Sequence, residues 1–163
     1  MTDVGAALAV SGPDLLAMNE EIAAVGRAPS SGDVRKPGFR ACTARGAGGR
    51  LIGVAYGWEG GPGDWWWDIV AGAVSAEVRR RWFDDCFELV ELAVLVGERR
   101  RGIGGALHDA LLALTERPHA VLSVLDDGTA ALAFFATKGW RAVHPGLRFP
   151  GNDAPFAVLV RDR

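Results

Sequence analysis

Residues 88–107 read Glu88-Leu-Val-Glu-Leu-Ala-Val-Leu-Val-Gly-Glu-Arg99-Arg-Arg-Gly102-Ile-Gly104-Gly105-Ala-Leu107, and this stretch restricts the fold more than any other. The nearly unbroken apolar run over 87–96 suits a strand covered on both faces. Arginines and glycines follow at once. Ile103, Ala106, Leu107, Ala110, Leu111 and Leu114 then recur at i, i+3, i+4, the stripe of an amphipathic helix, and Pro118 is expected to close it. Strand, tight loop and helix in immediate succession are the start of an α/β layer rather than of a bundle or a sandwich.

The rest of the chain agrees. A helix is expected from 11–13, with Pro13 in its first turn, through Leu15, Leu16, Ile22 and Ala23 towards Gly26. Residues 39–45 and 50–56 read as two strands around the turn residues 46–49. Residues 65–82 favour a helix, 120–125 a strand, and 129–138 a helix with Asp126 or Asp127 near its cap and Gly139 just past its end. Residues 140–143 and 156–161 finish as strands, while 31–37 and 57–64 read as loops rather than linkers. No internal repeat is visible. A chain of 163 residues that is 49% apolar fits one domain, 1–163, with a real core. The expected fold class is α/β with a mixed β-sheet.

Composition excludes several functions. Lys and Arg number 18 against 20 Asp and Glu, a net charge of −2, without the basic face of a nucleic-acid binder. Cys42 and Cys86 form no CxxC and no cluster at metal-ligand spacing, so the expected metal complement is none and the thiols are expected to be buried in a reducing compartment. No apolar run approaches the roughly 20 residues of a membrane span. Residues 1–10 lack a positive leader segment, so a soluble, cytoplasmic protein is expected.

The glycines of 102–105 let a backbone turn sharply and approach a ligand closely. The first amides of the following helix have no internal partner and sit at the positive end of its dipole, which makes a site for a pyrophosphate. A P-loop would need Lys-Ser/Thr where Ala106-Leu107 stand, and a Rossmann fingerprint from Gly102 would place its third small residue at Leu107. Both fail. Arg99-x-x-Gly102-x-Gly104 instead resembles the acyl-CoA signature of the GNAT acetyltransferase superfamily. A second pattern of that family, Asn-x-x-Ala-x-x-Phe-Tyr-x-x-x-Gly-Phe, falls in register with Ala131, Phe134, Phe135, Gly139 and Trp140 when its first position is set at Gly128. The two together cover residues 88–141.

That resemblance implies a GNAT-type domain with helices on both faces of its sheet, and direct transfer of an acyl group from acetyl-CoA, as co-substrate, to an amine. It assigns the cofactor to Leu92, Val94, Val96, Arg99, Arg101, Gly102, Ile103, Gly104, Gly105 and Phe135. The acceptor would be a small-molecule amine or a protein amine, and a homodimer is among the assemblies it allows. Two positions depart from the pattern. Gly128 replaces the usual Asn, and Phe135 replaces the Tyr that protonates the leaving thiolate in many relatives; a benzyl ring donates no proton. These departures support the alternative of a non-catalytic acyl-CoA sensor or interaction module.

Deprotonating the amine needs a base, and Glu88 and Glu91 are the candidates. Three positions apart, they point to opposite faces of a regular strand. Glu88 matches the base of histone-acetylating relatives by its offset from Ala93-Val94, whereas Glu91 is nearer the cofactor segment. Asp64 and Asp68 flank Trp65-Trp66-Trp67, where related domains build an acceptor site and where cation–π contact could hold an amine; core packing is the plainer reading of those tryptophans. His108, His119 and His144 are expected to be structural or solvated, and Arg79-Arg80-Arg81 a solvated helix face.

Overall fold

The computed structural model describes residues 5–163; residues 1–4, where the leader reading begins, lie outside the described residues. Seven strands follow the hydrogen-bonded order β1-β2-β3-β4-β5-β7-β6. They are β1 (Ala7–Val10), β2 (Arg40–Arg45), β3 (Leu51–Gly60), β4 (Cys86–Val94), β5 (His119–Leu125), β6 (Arg141–Leu147) and β7 (Phe156–Asp162). The helices are α1 (Gly12–Ala17), α2 (Asn19–Ala23), α3 (Trp65–Ala73), α4 (Ala76–Trp82), α5 (Ile103–Leu114) and α6 (Ala130–Thr137). β4 and β5 are parallel, while β1–β2, β2–β3, β5–β7 and β6–β7 are antiparallel. The sheet is mixed and the class α/β, as expected.

The chain divides into two compact units. One holds the chain up to Glu59 together with Leu89–Glu116, and the other holds Gly60–Glu88 with Arg117–Arg163. In the first unit the hairpin β2–β3 pairs Arg40 with Gly57 and Ala44 with Gly53. Leu15, Ile22, Val54, Tyr56 and Trp58 are buried together there. Gly53 gives α5 its place: a Cβ at this position would lie 2.7 Å from Leu107 Cδ1 and 3.3 Å from Ile103 Cγ2. In the second unit Trp67, Val70, Phe83, Val121, Val158 and Val160 belong to one buried cluster. β6, at the end of the strand order, carries Pro145 within the register shift between His144 and Leu147, which an edge strand tolerates because Pro removes a ladder donor.

Several boundaries depart from the sequence reading, each for a local reason. The long helix expected over 65–82 is two, because Val74 is extended and Ser75 restarts the helix by accepting a hydrogen bond from Val78 N; Ser is a strong N-cap. The first helix likewise breaks at Met18, whose φ is −98 and ψ 11. β3 continues through Gly60, into what reads as a glycine-rich loop. α5 ends at Leu114 rather than at Pro118; Thr115 is already extended. β1, a four-residue strand, has no alternation in its sequence and was not anticipated.

Candidate functional site

β4 begins buried and ends half-buried: Cys86, Phe87, Glu88 and Leu89 are inside, and Val90–94 are intermediate. Its parallel ladder with β5 covers Cys86–His119, Phe87–Ala120 and Glu88–Val121. Beyond it, in the first unit, the chain leaves the sheet through a bond from Leu95 N to Ile52 O of 2.8 Å. One 3₁₀ turn, Val96–Glu98, follows. Arg100 then takes φ 63, unusual for a residue with a Cβ, and Gly102 takes φ 81. A left-handed non-glycine residue costs roughly 1–2 kcal/mol, so packing and bonding around the loop must hold Arg100 there. Nothing in the sequence marks an arginine for that conformation.

Gly102 is the N-cap of α5, no side chain caps the first turn, and that turn contains no carboxylate. Ala106 N bonds Gly102 O at 3.0 Å, so the amides of Ile103, Gly104 and Gly105 precede the first intrahelical bond. Among the described residues they are unsatisfied donors at the positive end of a twelve-residue helix. A pyrophosphate fits this arrangement by charge, by donor geometry and by the lack of a Cβ at Gly104 and Gly105.

The three arginines differ. Arg99 Nε donates to Val94 O at 2.9 Å, locking the loop to the end of β4. Arg101 pairs with Glu98 at 2.9 Å. Arg100 makes no bond to a described residue and is exposed. Leu92 and Val94 are half-buried, Val96 is 74% exposed, and Ile103 is buried at 7%, a core anchor of the helix start. Phe135 lies on α6 in the second unit, buried, with ring centroids 5.1 Å from Phe134 and 5.7 Å from Trp140. Gly128 has φ 73.

The two glutamates are in different settings. Glu88 is 4% exposed and belongs to the second unit. Glu91, in the first unit, accepts from Arg27 N at 3.0 Å and its other oxygen lies 3.2 Å from Leu92 N. Tyr56 donates to the carbonyl of the same Arg27 at 2.9 Å. Both backbone groups of Arg27 are therefore clamped, one from β4 and one from β3. Gly26 beside it needs to be glycine, since a Cβ would meet that of Ala93 at 2.6 Å. Burial pushes the Tyr56 phenol well above its ordinary range, so it keeps its proton at neutral pH and holds it in the bond to Arg27 O. Sequence reading missed Tyr56 and Arg27, whose contacts join distant segments.

Asp64 and Asp68 serve the start of α3, accepting from Trp66 N at 3.3 Å and from Gly63 N at 3.1 Å. Trp67 is buried and donates to Phe83 O, Trp66 donates to Ser123 Oγ, and Trp65 is 60% exposed. Core packing is thus the role of Trp67. His108 is buried against Asp109 at 2.8 Å, and His119 lies 3.1 Å from Asp162. His144 Nδ1 is buried without a hydrogen-bond partner. Among the described residues no metal-binding cluster occurs, and no helix is long and apolar enough to cross a membrane.

The acetyltransferase (GNAT) family profile matches residues 31–140. A GCN5-like protein acetyltransferase of Mycobacterium tuberculosis is 33% identical over 119 residues, 68% of this chain and 58% of the relative. The chain therefore spans less than two thirds of that relative's length. The ribosomal-protein-S18-alanine N-acetyltransferase from Escherichia coli superposes with a TM-score of 0.63 at 15% identity, covering 96% of this chain and 92% of that one. Arabidopsis thaliana NAA60, solved with a bisubstrate analogue, gives 0.63 at 16% identity over 96% and 97% of the two chains. A Bacillus anthracis chain described as a streptothricin acetyltransferase, solved with acetyl coenzyme A, gives 0.55 at 15% over 81% and 66%. At these identities the structural likeness is one of fold.

Proposed function

We propose that this chain, which belongs to the acetyltransferase (GNAT) family, transfers an acetyl group from acetyl-CoA to a primary amine. The observation that carries the reading is the start of α5, where Gly102 in the left-handed region presents uncapped amides directly after β4. Acetyl-CoA supplies the acyl group as a thioester. Ile103, Gly104 and Gly105 hold its pyrophosphate through backbone N–H, worth about 0.3–2 kcal/mol for the dipole alone. Arg100, which makes no bond to a described residue, adds charge at the same loop. Leu92 and Val94 orient the pantetheine arm along β4, and a backbone N–H of 92–94 faces the developing oxyanion.

Glu88 receives the proton of the acceptor ammonium, directly or through water, because an amine attacks only in its neutral form. Glu91 is held by the Arg27 amide and acts as a positioning residue for the segment after α2. Phe135 donates no proton, so solvent protonates the thiolate. A protein amine is the first acceptor class to test, since the curated relative is named a protein acetyltransferase.

The experiment is thiol release from acetyl-CoA, corrected for hydrolysis, against peptide N-termini, lysine peptides and small amines. Release that depends on an amine, and that Gly104→Leu abolishes together with calorimetric CoA binding, is the expected result. Phe135→Tyr should stay within about tenfold of the parent, about 1.4 kcal/mol in barrier. The departures at Gly128 and Phe135 favour a second reading, an acyl-CoA sensor. Tight binding without turnover against any amine, or a gain of several hundredfold in Phe135→Tyr, would establish that reading instead.

A further inference from the structure

Three consecutive tryptophans open α3, and two of them are committed to the second unit's interior. Trp67 donates to Phe83 O at 3.0 Å and Trp66 to Ser123 Oγ at 2.8 Å, whereas Trp65 is 60% exposed. Its ring is nonetheless placed, with its centroid 5.7 Å from that of the buried Phe149, which lies 5.2 Å from Phe156. Phe156 pairs in the ladder with Leu125, itself 40% exposed. Trp65, Phe149, Phe156 and Leu125 form one apolar stripe that ends in solvent. Single exposed apolar side chains need no explanation, but a continuous stripe does.

Three segments meet at this stripe, 61–68, 123–130 and 148–155. They are joined pairwise by the Trp66–Ser123 bond, the Trp65–Phe149 contact and a bond from Asp126 N to Pro155 O of 2.9 Å. These segments carry Asp64, Asp68, Asp126, Asp127 and Asp153 against a single cation, Arg148, which donates to the carbonyl of Asp153. Asp64, Asp68 and Asp127 accept from backbone N–H groups at 3.3, 3.1 and 3.1 Å; such bonds fix the carboxylates and leave their charge in place. The stripe is therefore rimmed by negative charge. It also shares a face of the sheet with Glu88. Glu88 pairs with Val121, and Ser123 and Leu125 follow Val121 at steps of two, so all four side chains leave the same side of the sheet. The bond from Trp66 to Ser123 puts α3 on that side as well.

We propose, on the reading of Glu88 as the base, that this face receives the acceptor, and that the acceptor is a primary ammonium carrying an aromatic group close to its nitrogen. The rim draws the cation, and Trp65 with Phe149 takes the aromatic group. Glu88 stands further in on the same face, at the level of Val121. A carboxylate beside the amine, as in a free amino acid, would meet the like charge of the rim. The ammonium gives one proton to Glu88, and the C–N bond forms as the C–S bond of the thioester breaks. The thiolate of CoA then takes a proton from solvent. Such an amine has two sources, a small arylalkylamine and the first residue of a protein chain.

Thiol release from acetyl-CoA is measured with 2-phenylethylamine, 2-methoxyethylamine as a polar amine of similar basicity, free phenylalanine, and a peptide beginning with Phe. The Trp65 indole N–H resonance, assigned with Trp65→Phe, is followed with 2-phenylethylamine and with phenylacetate. kcat/KM should be about tenfold or more higher for 2-phenylethylamine than for the polar amine, and free phenylalanine should be the poorest aromatic acceptor. A better peptide identifies a protein terminus as the source, and a better 2-phenylethylamine a small amine. Trp65→Ser should lower the aromatic-to-polar ratio about tenfold, through KM, and Trp65→Phe should keep most of it. The resonance should shift saturably with 2-phenylethylamine and not with phenylacetate. Saturable shifts without turnover against any amine would keep the site and remove the transfer reading. Turnover with equal kcat/KM for the two amines, or a folded Trp65→Ser protein with the parental ratio, would overturn the proposal and leave transfer standing. Neither shift nor turnover would remove both.

Discussion

Arg27 contributes its backbone to the first unit as well as its charge, which pairs with Asp33 at 3.4 Å. Its N–H is held by Glu91 and its C=O by Tyr56, so one peptide ties the segment after α2 to two strands. Tyr56→Phe keeps the ring and removes the donor, leaving the Arg27 carbonyl unsatisfied; a loss of about 1–3 kcal/mol should appear in the urea midpoint with the slope unchanged. The cysteines give a second residue-scale expectation. Burial pushes the Cys42 thiol up to about 11, and burial with the nearby Glu88 carboxylate pushes Cys86 up to about 12. Both thiols should resist iodoacetamide at pH 8 in the folded protein and react in urea. The sign of the linked stability follows. The unfolded thiols ionise near 9.0, so their contribution is complete below that pH and lost as pH rises towards 11–12. A melting temperature that rises through that window would contradict this.

At the scale of elements, the sequence shows clearly what is local. The α5 stripe, the apolar β4 and the glycines between them declare strand, loop and helix because periodicity and glycine chemistry act over a few residues. Breaks were less visible: Ser75 is a cap signal inside a run that otherwise reads as helix, and Met18 has no such signal at all. Long-range pairs were not legible. Glu91 meets Arg27 across 64 positions, and Arg81, expected to be solvated, bonds Asp162 across 81. Gly53 is the clearest case of an element placed by a residue with no sequence signature, because its role depends on Leu107 above it. Gly53→Val should overpack β3 against α5, costing about 1–3 kcal/mol, and should weaken CoA binding by displacing the helix start. Calorimetry giving parental CoA affinity in a folded Gly53→Val protein would show that the α5 start does not depend on this contact.

At the scale of the whole molecule, protection by the bound cofactor gives the most discriminating measurement. Binding to the native state protects the structure in proportion to ligand excess, about 2.7 kcal/mol at a hundred times Kd. For a chain of this size that is a rise of about 5–10 °C in melting temperature. Acetyl-CoA and CoA should give such a rise, and ADP, which lacks the pantetheine contacts to β4, a smaller one. Hydrogen exchange shows where the protection falls. With acetyl-CoA it should be largest at the amides of 92–106, which lie in the first unit. In Gly104→Leu that pattern should vanish. Glu88→Gln should leave that pattern intact while lowering turnover roughly a hundredfold or more, because a base that only receives a proton contributes little to holding the cofactor. If Glu88→Gln instead erased the acetyl-CoA pattern, Glu88 would be a packing residue of β4 and the base would have to be sought elsewhere, beginning with Glu91.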